Sequence, residues 1–351
     1  MIFYLMKNKH FKTNIMKKLI YIFLTVLIVA CSSDDAGNDN NSNDEDNNDG
    51  DNTALICNGD NPVYLDANGI TVKACPNAQI GDTGNINGFT YTIVSEQQLR
   101  DLWDSGQVDD FNRFVTTQVT DMSYMFVDAG GNNPFNENIS SWDVSNVTNM
   151  EGMFWRANNF NQPIGDWDVS NVTNMYRMFL MSTSGGTTPP TFNQPIGDWD
   201  VSNVTNMQNM FGGSNFNQPI GDWDVSNVTD IGGIFQDTPF NQPIGNWDVS
   251  NVTVMFTVFK GTPFNQDISL WNVSNVIDMG GMFYGATSFN QPIGDWDVSN
   301  VASMWEMFEG ATSFNRNLSS WSVDGVLNCE DFSNGATSWT LPQPNFTNCT
   351  P

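Results

Sequence analysis

A pattern of apolar positions recurs along most of the chain at intervals of 24 or 25 residues. In one full copy the apolar residues are Phe160, Ile164, Trp167, Val169, Val172, Met175, Met178 and Phe179. The central tryptophans of the copies are Trp142, Trp167, Trp199, Trp223, Trp247, Trp271, Trp296 and Trp321. A first, less regular copy has Phe114 at the tryptophan position. Such a fixed, short period is typical of proteins whose repeats stack on one another.

The spacing inside one copy predicts its local structure. Trp167 and Val169 alternate with Asp168, which predicts a short strand whose apolar side chains face the core. Apolar residues in 175–179 follow helical spacing, which predicts one or two helical turns on the opposite side. About nine copies over residues 107–330 therefore predict a repeat solenoid of α/β class, with one parallel β-sheet and short helices or 3-10 turns opposite it.

Insertions fall at one place in the repeat, between its last phenylalanine and the first phenylalanine of the next copy. This interval is 5 or 6 residues in most copies, but 9 after Phe126 and 13 after Phe179. A stacked array accommodates extra residues where they do not disturb its layers. Residues 180–191 are therefore expected to form a protruding loop.

Residues 54–106 precede the repeats and predict a small β/α cap. Residues 55–94 alternate in polarity and carry turn signals at Asn68-Gly69 and Asn87-Gly88, which predicts short strands. A helix should follow, with its N-cap at Ser95, a capping-box partner at Gln98, an apolar stripe of Leu99, Leu102 and Trp103, and its end at Gly106.

The first 30 residues have the features of a signal peptide. Lys17 and Lys18 precede an apolar run over residues 19–30 that is too short to span a bilayer comfortably. Met16 could be the true start, because residues 16–31 already form a complete signal. The sequence Ile28-Val29-Ala30-Cys31 resembles a bacterial lipobox, which implies cleavage before Cys31 and acylation of its thiol. A plain signal peptide with an incidental cysteine is the alternative.

Residues 31–53 are almost entirely small, polar or acidic, which predicts a disordered tether. The run Ser32-Ser33-Asp34-Asp35 resembles the surface-export signal of some Gram-negative lipoproteins, and a simple polar tether is the alternative. Export to the outer membrane and cell surface is therefore the expected localisation, with Cys31 anchored in lipid.

Charge excludes one class of partner. Only 7 basic residues follow Cys31, against 39 acidic residues, so this part carries a net charge of −32. Binding of nucleic acid requires a basic face, and a chain of this charge is not expected to bind it.

Four cysteines remain after Cys31, namely Cys57, Cys75, Cys329 and Cys349. An even number in an exported chain predicts disulfides, and four cysteines allow three pairings. Pairing of Cys57 with Cys75 and of Cys329 with Cys349 is favoured, because each pair lies at its own end of the repeats. The second pair would hold a C-terminal cap over residues 331–351.

The units resemble the repeats of BspA-like leucine-rich-repeat surface proteins. The resemblance rests on Trp-Asp-Val-Ser-Asn-Val-Thr-Asn-Met, as at residues 167–175, and covers about residues 107–330. It implies a leucine-rich-repeat-like fold and a role as a cell-surface adhesin or binding protein. The first copy, which lacks tryptophan, and the last, which reads Trp-Ser-Val-Asp-Gly-Val from Trp321, depart from the pattern and are expected to be structural caps.

No set of residues predicts catalysis. The only histidine is His10, which lies in the signal segment, so catalytic triads and histidine-ligated metal sites are not expected. Carboxylates recur alike in most copies, whereas a hydrolase needs two carboxylates in different environments. The chain is therefore predicted not to be an enzyme.

Aspartates supply the candidate binding face. One column follows the tryptophans and a second precedes them; together they are Asp143, Asp166, Asp168, Asp198, Asp200, Asp222, Asp224, Asp248, Asp295 and Asp297. Facing outward on the predicted sheet, they would repel one another, so the face either is well solvated or recruits cations. Oxygen ligands suit Ca²⁺, which is the one metal considered, and a solvated face without an ion is the alternative. Asparagines that recur in two further columns are expected to bond turn backbone.

Three functions follow from these features. The leading hypothesis is a non-catalytic surface binding or adhesion lipoprotein whose acidic face meets an extracellular protein or matrix partner. The alternatives are a lipoprotein that captures glycans for uptake and a structural coat protein. Glycan capture would require exposed tryptophan or tyrosine, whereas the periodic tryptophans are expected to pack in the core.

Overall fold

The computed structural model describes residue 57 and residues 59–106, 110–127, 134–181 and 191–351. The chain divides into two compact units, Met1–Gly50 and Asp51–Pro351, and every described residue belongs to the second. The expected signal peptide 1–30, Cys31, the tether 31–53 and most of the loop 180–191 lie outside the described residues. Within the described ranges, every helix is too short or too polar to serve as a membrane span.

The residues before the repeats form two small sheets. Strand β1 (Val63–Leu65) pairs antiparallel with β2 (Val72–Ala74), and β3 (Thr83–Ile86) pairs antiparallel with β4 (Phe89–Ile93). The β3–β4 loop has positive φ at both central residues, +52° and +83°, as a tight right-twisted hairpin requires. Strand β5 (Phe114–Val115) adds in parallel to β4, so the first copy of the repeat contributes to the cap sheet.

The helix expected after these strands is confirmed. Helix α1 (Glu96–Asp104) begins at Ser95, whose side chain accepts from the amide of Gln98, and the Gln98 side chain bonds the Ser95 amide in return. Leu99 is fully buried on its inner face. A 3-10 turn over Phe111–Arg113 then leads into β5.

Each repeat consists of successive β-turns rather than a strand and a helix. In one copy the amide of Trp167 bonds the carbonyl of Ile164 at 3.2 Å, and the amide of Val172 bonds the carbonyl of Val169 at 2.8 Å. A further turn closes across residues 175–178 at 3.2 Å. The chain thus changes direction several times within one repeat.

The strand expected over residues 167–169 does not form, and local hydrogen bonding explains why. Asp168 Oδ1 accepts from the amide of Ser170 at 3.1 Å and from its hydroxyl at 2.6 Å. This bond favours a turn directly after the tryptophan, and in the described part of the chain the amides of Asp168 and Val169 donate no backbone bond to a neighbouring repeat. Beyond Val115, the described residues contain single bridged positions but no longer strand and no regular helix.

Successive repeats bond to each other over the seventh to fourteenth residues after each tryptophan. A chain of parallel bridges joins Asp121, Asn149, Asn174, Asn206, Asp230, Val254, Asp278, Ser303 and Asn328. Alternate amides then donate to the next copy: those of Met150, Gly152, Phe154 and Arg156 reach the carbonyls of Asn174, Tyr176, Met178 and Leu180 at 2.8–2.9 Å. We call these stretches ladder segments; they are residues 149–156, 174–181, 206–213, 230–237, 254–261, 278–285, 303–310 and 328–335.

A left-handed residue prevents the expected helical turns in the ladder segment. Ten positions after the tryptophan, φ is +56° at Arg177, +56° at Asn209 and +50° at Thr257. A right-handed helix cannot continue through such a residue. The amides of the segment therefore donate to carbonyls of the neighbouring repeat instead of carbonyls within their own helix.

The core is a continuous stack of aromatic rings, as expected for the periodic tryptophans. All eight central tryptophans are at most 4% exposed. Each indole Nε1 donates to a backbone carbonyl of the preceding repeat, as Trp223 does to Ile196 at 3.2 Å. Paired phenylalanines fill the space beyond: Phe211 and Phe216 lie 3.9 Å apart, and Phe211 lies 6.1 Å from Phe235 in the next repeat. Because each ring buries a large apolar area, this stack is the main source of stability.

Asparagine columns tie the repeats together at their edges, which confirms their expected structural role. The amide of Asn241 donates to Asn217 Oδ1, and the amide of Asn217 donates to Asn193 Oδ1, both at 2.9 Å. In the second column, Asn227 Nδ2 donates to the carbonyl of Ser202 at 2.7 Å. Each asparagine thus satisfies a backbone group of the adjacent repeat.

Two disulfides hold the ends in the favoured pairing. Cys57 is bonded to Cys75, 18 positions later in the sequence, and Cys329 to Cys349, 20 positions later. Cys329 is fully buried at the end of the aromatic core. The second disulfide therefore attaches residues that follow the last repeat to the core itself.

Candidate functional site

The aspartates that follow the tryptophans cap a turn as well as facing solvent. Asp200 Oδ1 accepts from the hydroxyl of Ser202 at 2.6 Å and from its amide at 3.0 Å. Bonds to a serine hydroxyl and then to the serine amide lower the pKa of Asp200, and likewise the pKa of Asp224, Asp248 and Asp297. These carboxylates are therefore ionised at neutral pH. Sequence reasoning gave them only a role in binding and missed their role in the turn.

Asp143 does not share the exposure of its column. It is only 2% exposed, because the N-terminal cap packs against this first tryptophan-bearing repeat. The amide of Val72 bonds the carbonyl of Ser141 at 2.9 Å, and Thr116 Oγ1 bonds the carbonyl of Asp143 at 2.8 Å. Asp143 therefore lies beneath the cap and cannot contact a partner.

The other nine predicted aspartates are exposed, seven of them on four successive repeats and two on a later repeat, beyond the one that carries Leu270 and Asn272. We call them the acidic stripe: Asp166, Asp168, Asp198, Asp200, Asp222, Asp224, Asp248, Asp295 and Asp297. Leu270, which is 87% exposed, interrupts the column that precedes the tryptophans. Nowhere in the described ranges do three acidic, histidine or cysteine side chains converge as a metal site. Binding of Ca²⁺ therefore gains no support from the geometry.

The ladder segments present a second surface that sequence reasoning assigned only to the core. Their ninth, tenth and thirteenth positions after the tryptophan vary in residue type from copy to copy. Half-exposed aromatic side chains occupy several of these positions. Three of the seven basic residues that follow Cys31, namely Arg156, Arg177 and Lys260, also lie in ladder segments.

Four of these side chains meet Tyr124 of the first copy at the N-terminal repeats. We call Tyr124, Trp155, Arg156, Tyr176 and Arg177 the arginine–aromatic cluster. The Arg177 guanidinium carbon lies 4.6 Å from the ring centre of Tyr176 and 5.7 Å from that of Trp155. The Arg156 guanidinium carbon lies 5.1 Å from the Trp155 ring, and Tyr124 meets Trp155 edge to face at 6.2 Å. Two cations therefore lie close to the same indole ring.

Glu151 borders this cluster, and hydrogen bonds from two neighbouring side chains engage its carboxylate. The Tyr124 hydroxyl donates to Glu151 Oε1, and Asn174 Nδ2 donates to Glu151 Oε2 at 3.1 Å. Burial and then the bond to Glu151 raise the pKa of Tyr124 to about 12. The phenol therefore stays protonated and keeps donating to Glu151 throughout the ordinary pH range.

Further aromatic residues lie on the same surface toward the C-terminus. The Phe256 ring covers Gly232, and the Trp305 indole covers Gly280, in each case in the preceding repeat. Lys260 Nζ lies 5.6 Å from the ring centre of Tyr284. The signal that could have revealed this surface is the alternation of glycine with aromatic residues at one position, because a glycine leaves room for a ring from the neighbouring repeat.

Comparison with protein families finds one match, in three stretches: residues 97–185, 186–263 and 238–346. The family is described as a Mycoplasma protein of unknown function, DUF285. No curated protein and no solved structure matches the chain. The successive matches and the period of the tryptophans identify a repeat protein, whereas the likeness to BspA-like proteins stays a prediction. Because the matches together extend from residue 97 to residue 346, over most of the 351 residues, the chain belongs to the DUF285 family.

Proposed function

We propose that this protein is a non-catalytic binding and adhesion module, held at the outer cell surface by a lipid on Cys31. Its stacked repeats would form a leucine-rich-repeat-like solenoid, and its acidic stripe would contact an extracellular protein or matrix partner. The observation that carries this proposal is the stripe itself: nine exposed carboxylates, seven of which lie on four successive repeats.

The spacing of the repeats favours recognition of an extended basic surface. Pairing at the ladder segments stacks successive repeats about 5 Å apart, so carboxylates at equivalent positions of successive repeats form a closely spaced column. Summed fields of this kind attract partners of opposite charge and increase the rate of association. The bonds from serine keep the carboxylates of Asp200, Asp224 and Asp248 ionised and fix their direction.

The uniformity of the stripe argues against catalysis. Asp200, Asp224 and Asp248 each accept from a serine two residues ahead, and each has a lowered pKa for the same reason. Acid–base chemistry needs two groups whose environments push their pKa values apart. A column of equivalent carboxylates suits binding better than reaction.

Asparagine provides a test that separates charge from structure. Asn272 occupies the column that follows the tryptophans, and its Oδ1 accepts from the Ser274 amide at 3.2 Å and hydroxyl at 2.8 Å. Replacing the nine stripe aspartates by asparagine should therefore keep the turns and remove the charge. We expect the variant to melt within a few degrees of the unmodified chain and to lose binding on an array of matrix proteins and glycans. A variant that binds its partners unchanged would overturn the proposal.

Glycan capture is the second candidate, and one observation favours it. The central tryptophans are buried, but Trp155, Tyr176, Tyr284 and Trp305 are half-exposed on the ladder surface. Rings of this kind offer apolar faces against which the C–H bonds of a sugar pack. On the same array, loss of glycan binding after replacement of these residues by alanine, with protein binding retained, would support capture over protein adhesion.

A further inference from the structure

We propose that the arginine–aromatic cluster is a binding site for the carboxylate or sulfate group of an acidic sugar in an anionic glycan. This inference rests on the second candidate function, glycan capture, and deepens it by naming the site and the class of sugar. The site is distinct from the acidic stripe, which would attract partners of opposite charge.

The backbone holds the cluster in place. The Arg156 amide bonds the Leu180 carbonyl at 2.9 Å, and the Arg177 amide bonds the Gln208 carbonyl at 2.9 Å. The backbone of both arginines is therefore part of the hydrogen-bonded ladder and not of an unpaired loop. Sites built on such rigid backbone keep their geometry before the ligand arrives, which reduces the entropy lost on binding.

The charge of the cluster is unusual for this chain. Two basic side chains lie together, although in the sequence after Cys31 acidic residues outnumber basic ones by 39 to 7. Lys73 and Arg100 form ion pairs with Asp66 and Glu96 at 2.9 Å. Among the described residues, neither Arg156 nor Arg177 forms an ion pair, although carboxylates are abundant. The two guanidinium groups thus remain available to an external anion.

Arg177 lacks an internal acceptor as well. Its Nε atom is buried and has no hydrogen-bond partner among the described residues. Its guanidinium is positioned by the rings of Trp155 and Tyr176, because their electron-rich faces attract a cation. Stacking of this kind fixes the plane of the guanidinium while leaving its outer N–H groups free to donate.

The combination of groups matches an acidic sugar. Guanidinium groups bind carboxylate and sulfate through paired hydrogen bonds of matching geometry. A half-exposed indole beside them offers an apolar surface for one face of the sugar ring. An open ladder surface with further rings at Tyr284 and Trp305 suits a chain that continues along the repeats, whereas a short acidic peptide would leave those rings unused.

The test measures binding of three saccharide probes to the purified full chain by calorimetry. The probes are a hexamer of galacturonate, a sulfated heparin hexasaccharide and neutral maltohexaose. The double variant Arg156→Gln/Arg177→Gln removes both guanidinium groups. The variant Arg113→Gln is the matched control, because Arg113 also lies on an aromatic ring, 4.0 Å from the centre of Phe89, but outside the ladder segments.

We expect at least one acidic probe to bind, the double variant to weaken its binding at least about tenfold, and Arg113→Gln to leave it unchanged. Trp155→Ala should weaken the same probe by a similar factor. If the double variant fails to fold, Arg177→Lys takes its place, because lysine keeps the charge and loses the paired geometry. Equal binding by Arg177→Lys would then overturn the inference.

Two other results would also overturn it. They are no binding of either acidic probe and binding that the arginine variants leave unchanged. Binding of maltohexaose, or of array proteins, without an acidic probe would reject this site while leaving the proposed binding function in place. Absence of any ligand, on the array and in calorimetry, would reject both.

Discussion

The indole of Trp305 covers Gly280 in the preceding repeat. A Cβ atom at Gly280 would lie 2.0 Å from Trp305 Nε1 and 2.5 Å from its Cδ1, far inside van der Waals contact. The two residues therefore form a matched pair across the ladder, in which the absence of one side chain makes room for the other. The same relationship holds between Gly232 and Phe256.

Replacement of Gly280 by alanine should displace the Trp305 indole into solvent. Because Trp305 is half-exposed and can swing outward, the loss of stability should be modest, about 1 kcal/mol. The measurement is acrylamide quenching of tryptophan fluorescence, which should increase in Gly280→Ala. Gly59→Ala is the control, because nothing lies within 4 Å of a Cβ there. Equal quenching in the two variants would contradict the pairing.

Each ladder segment contains a residue in the left-handed region, and the type of residue at that position should affect the stability of the chain. Thr257 has φ +50°, a region that β-branched side chains avoid, whereas Asn209 occupies the equivalent position at φ +56°. Asparagine tolerates this conformation, so Thr257→Asn should stabilise the chain by about 1 kcal/mol. The reverse change, Asn209→Thr, should destabilise it by at least as much. Urea unfolding of both variants is the measurement, and shifts of the same sign would contradict the assignment.

Asp230 should make stability depend on pH. Burial raises its pKa above the usual 3.8, although bonds from the Gly232 amide and the Gln208 side chain partly oppose this. An acid whose pKa is higher in the folded than in the unfolded state favours folding only while it is protonated. The contribution of Asp230 to stability is therefore present below pH 3.8 and is lost as the pH rises through the pKa of the folded state.

Asparagine at this position should remove that dependence, since Asn174 and Asn206 already occupy the same bridge column. We expect Asp230→Asn to raise the melting temperature at pH 7 and to have little effect near pH 3. Asp224→Asn is the control, because its pKa is lowered rather than raised. A gain that is larger in acid than at neutral pH would be inconsistent with a raised pKa.

The stability that the asparagine column provides should depend on the side-chain oxygen that accepts hydrogen bonds. Asn217 Oδ1 accepts from the Asn241 amide at 2.9 Å and from Gln242 Nε2 at 3.0 Å. Asn217→Ala leaves the Asn241 amide without a partner, although Gln242 Nε2 keeps the Asn217 carbonyl at 3.1 Å, and should cost about 1–3 kcal/mol. Asn217→Asp keeps an acceptor at the same place and should cost less. Thermal unfolding of the two variants distinguishes them, and equal losses would mean that the acceptor is unimportant.

Much of the scaffold could be predicted from spacing alone. The burial of Trp167 and Val169 followed from their phase, the cap helix from Ser95 and Gln98, and the backbone role of the asparagines from their recurrence. The predicted strand failed because alternation at Trp167-Asp168-Val169 does not reveal the bond from Ser170 to Asp168, which closes a turn instead.

The ladder surface was harder to predict because its residues do not recur. A repeat is recognised from positions that stay the same, and those positions are the ones used for packing and for turns. Tyr176, Phe256 and Trp305 share one position with Gly232 and Gly280, so no single residue type recurs there. The assembly of Arg156, Arg177 and Trp155 also joins two repeats, and only the register of the ladder brings them together.

Amide hydrogen exchange tests most directly whether the repeats are joined at the ladder segments and not at the tryptophans. The amides of Asn209 and Phe211 donate to Gly232 and Ile234 in the next repeat at 2.8 and 3.0 Å. Among the described residues, the Asp224 amide donates no hydrogen bond, although a strand through Trp223–Val225 would require one. We expect Asn209 and Phe211 to exchange at least about a hundredfold more slowly than Asp224. Equal protection of Asp224 would contradict this architecture. It would indicate a hydrogen-bonded strand at the tryptophans.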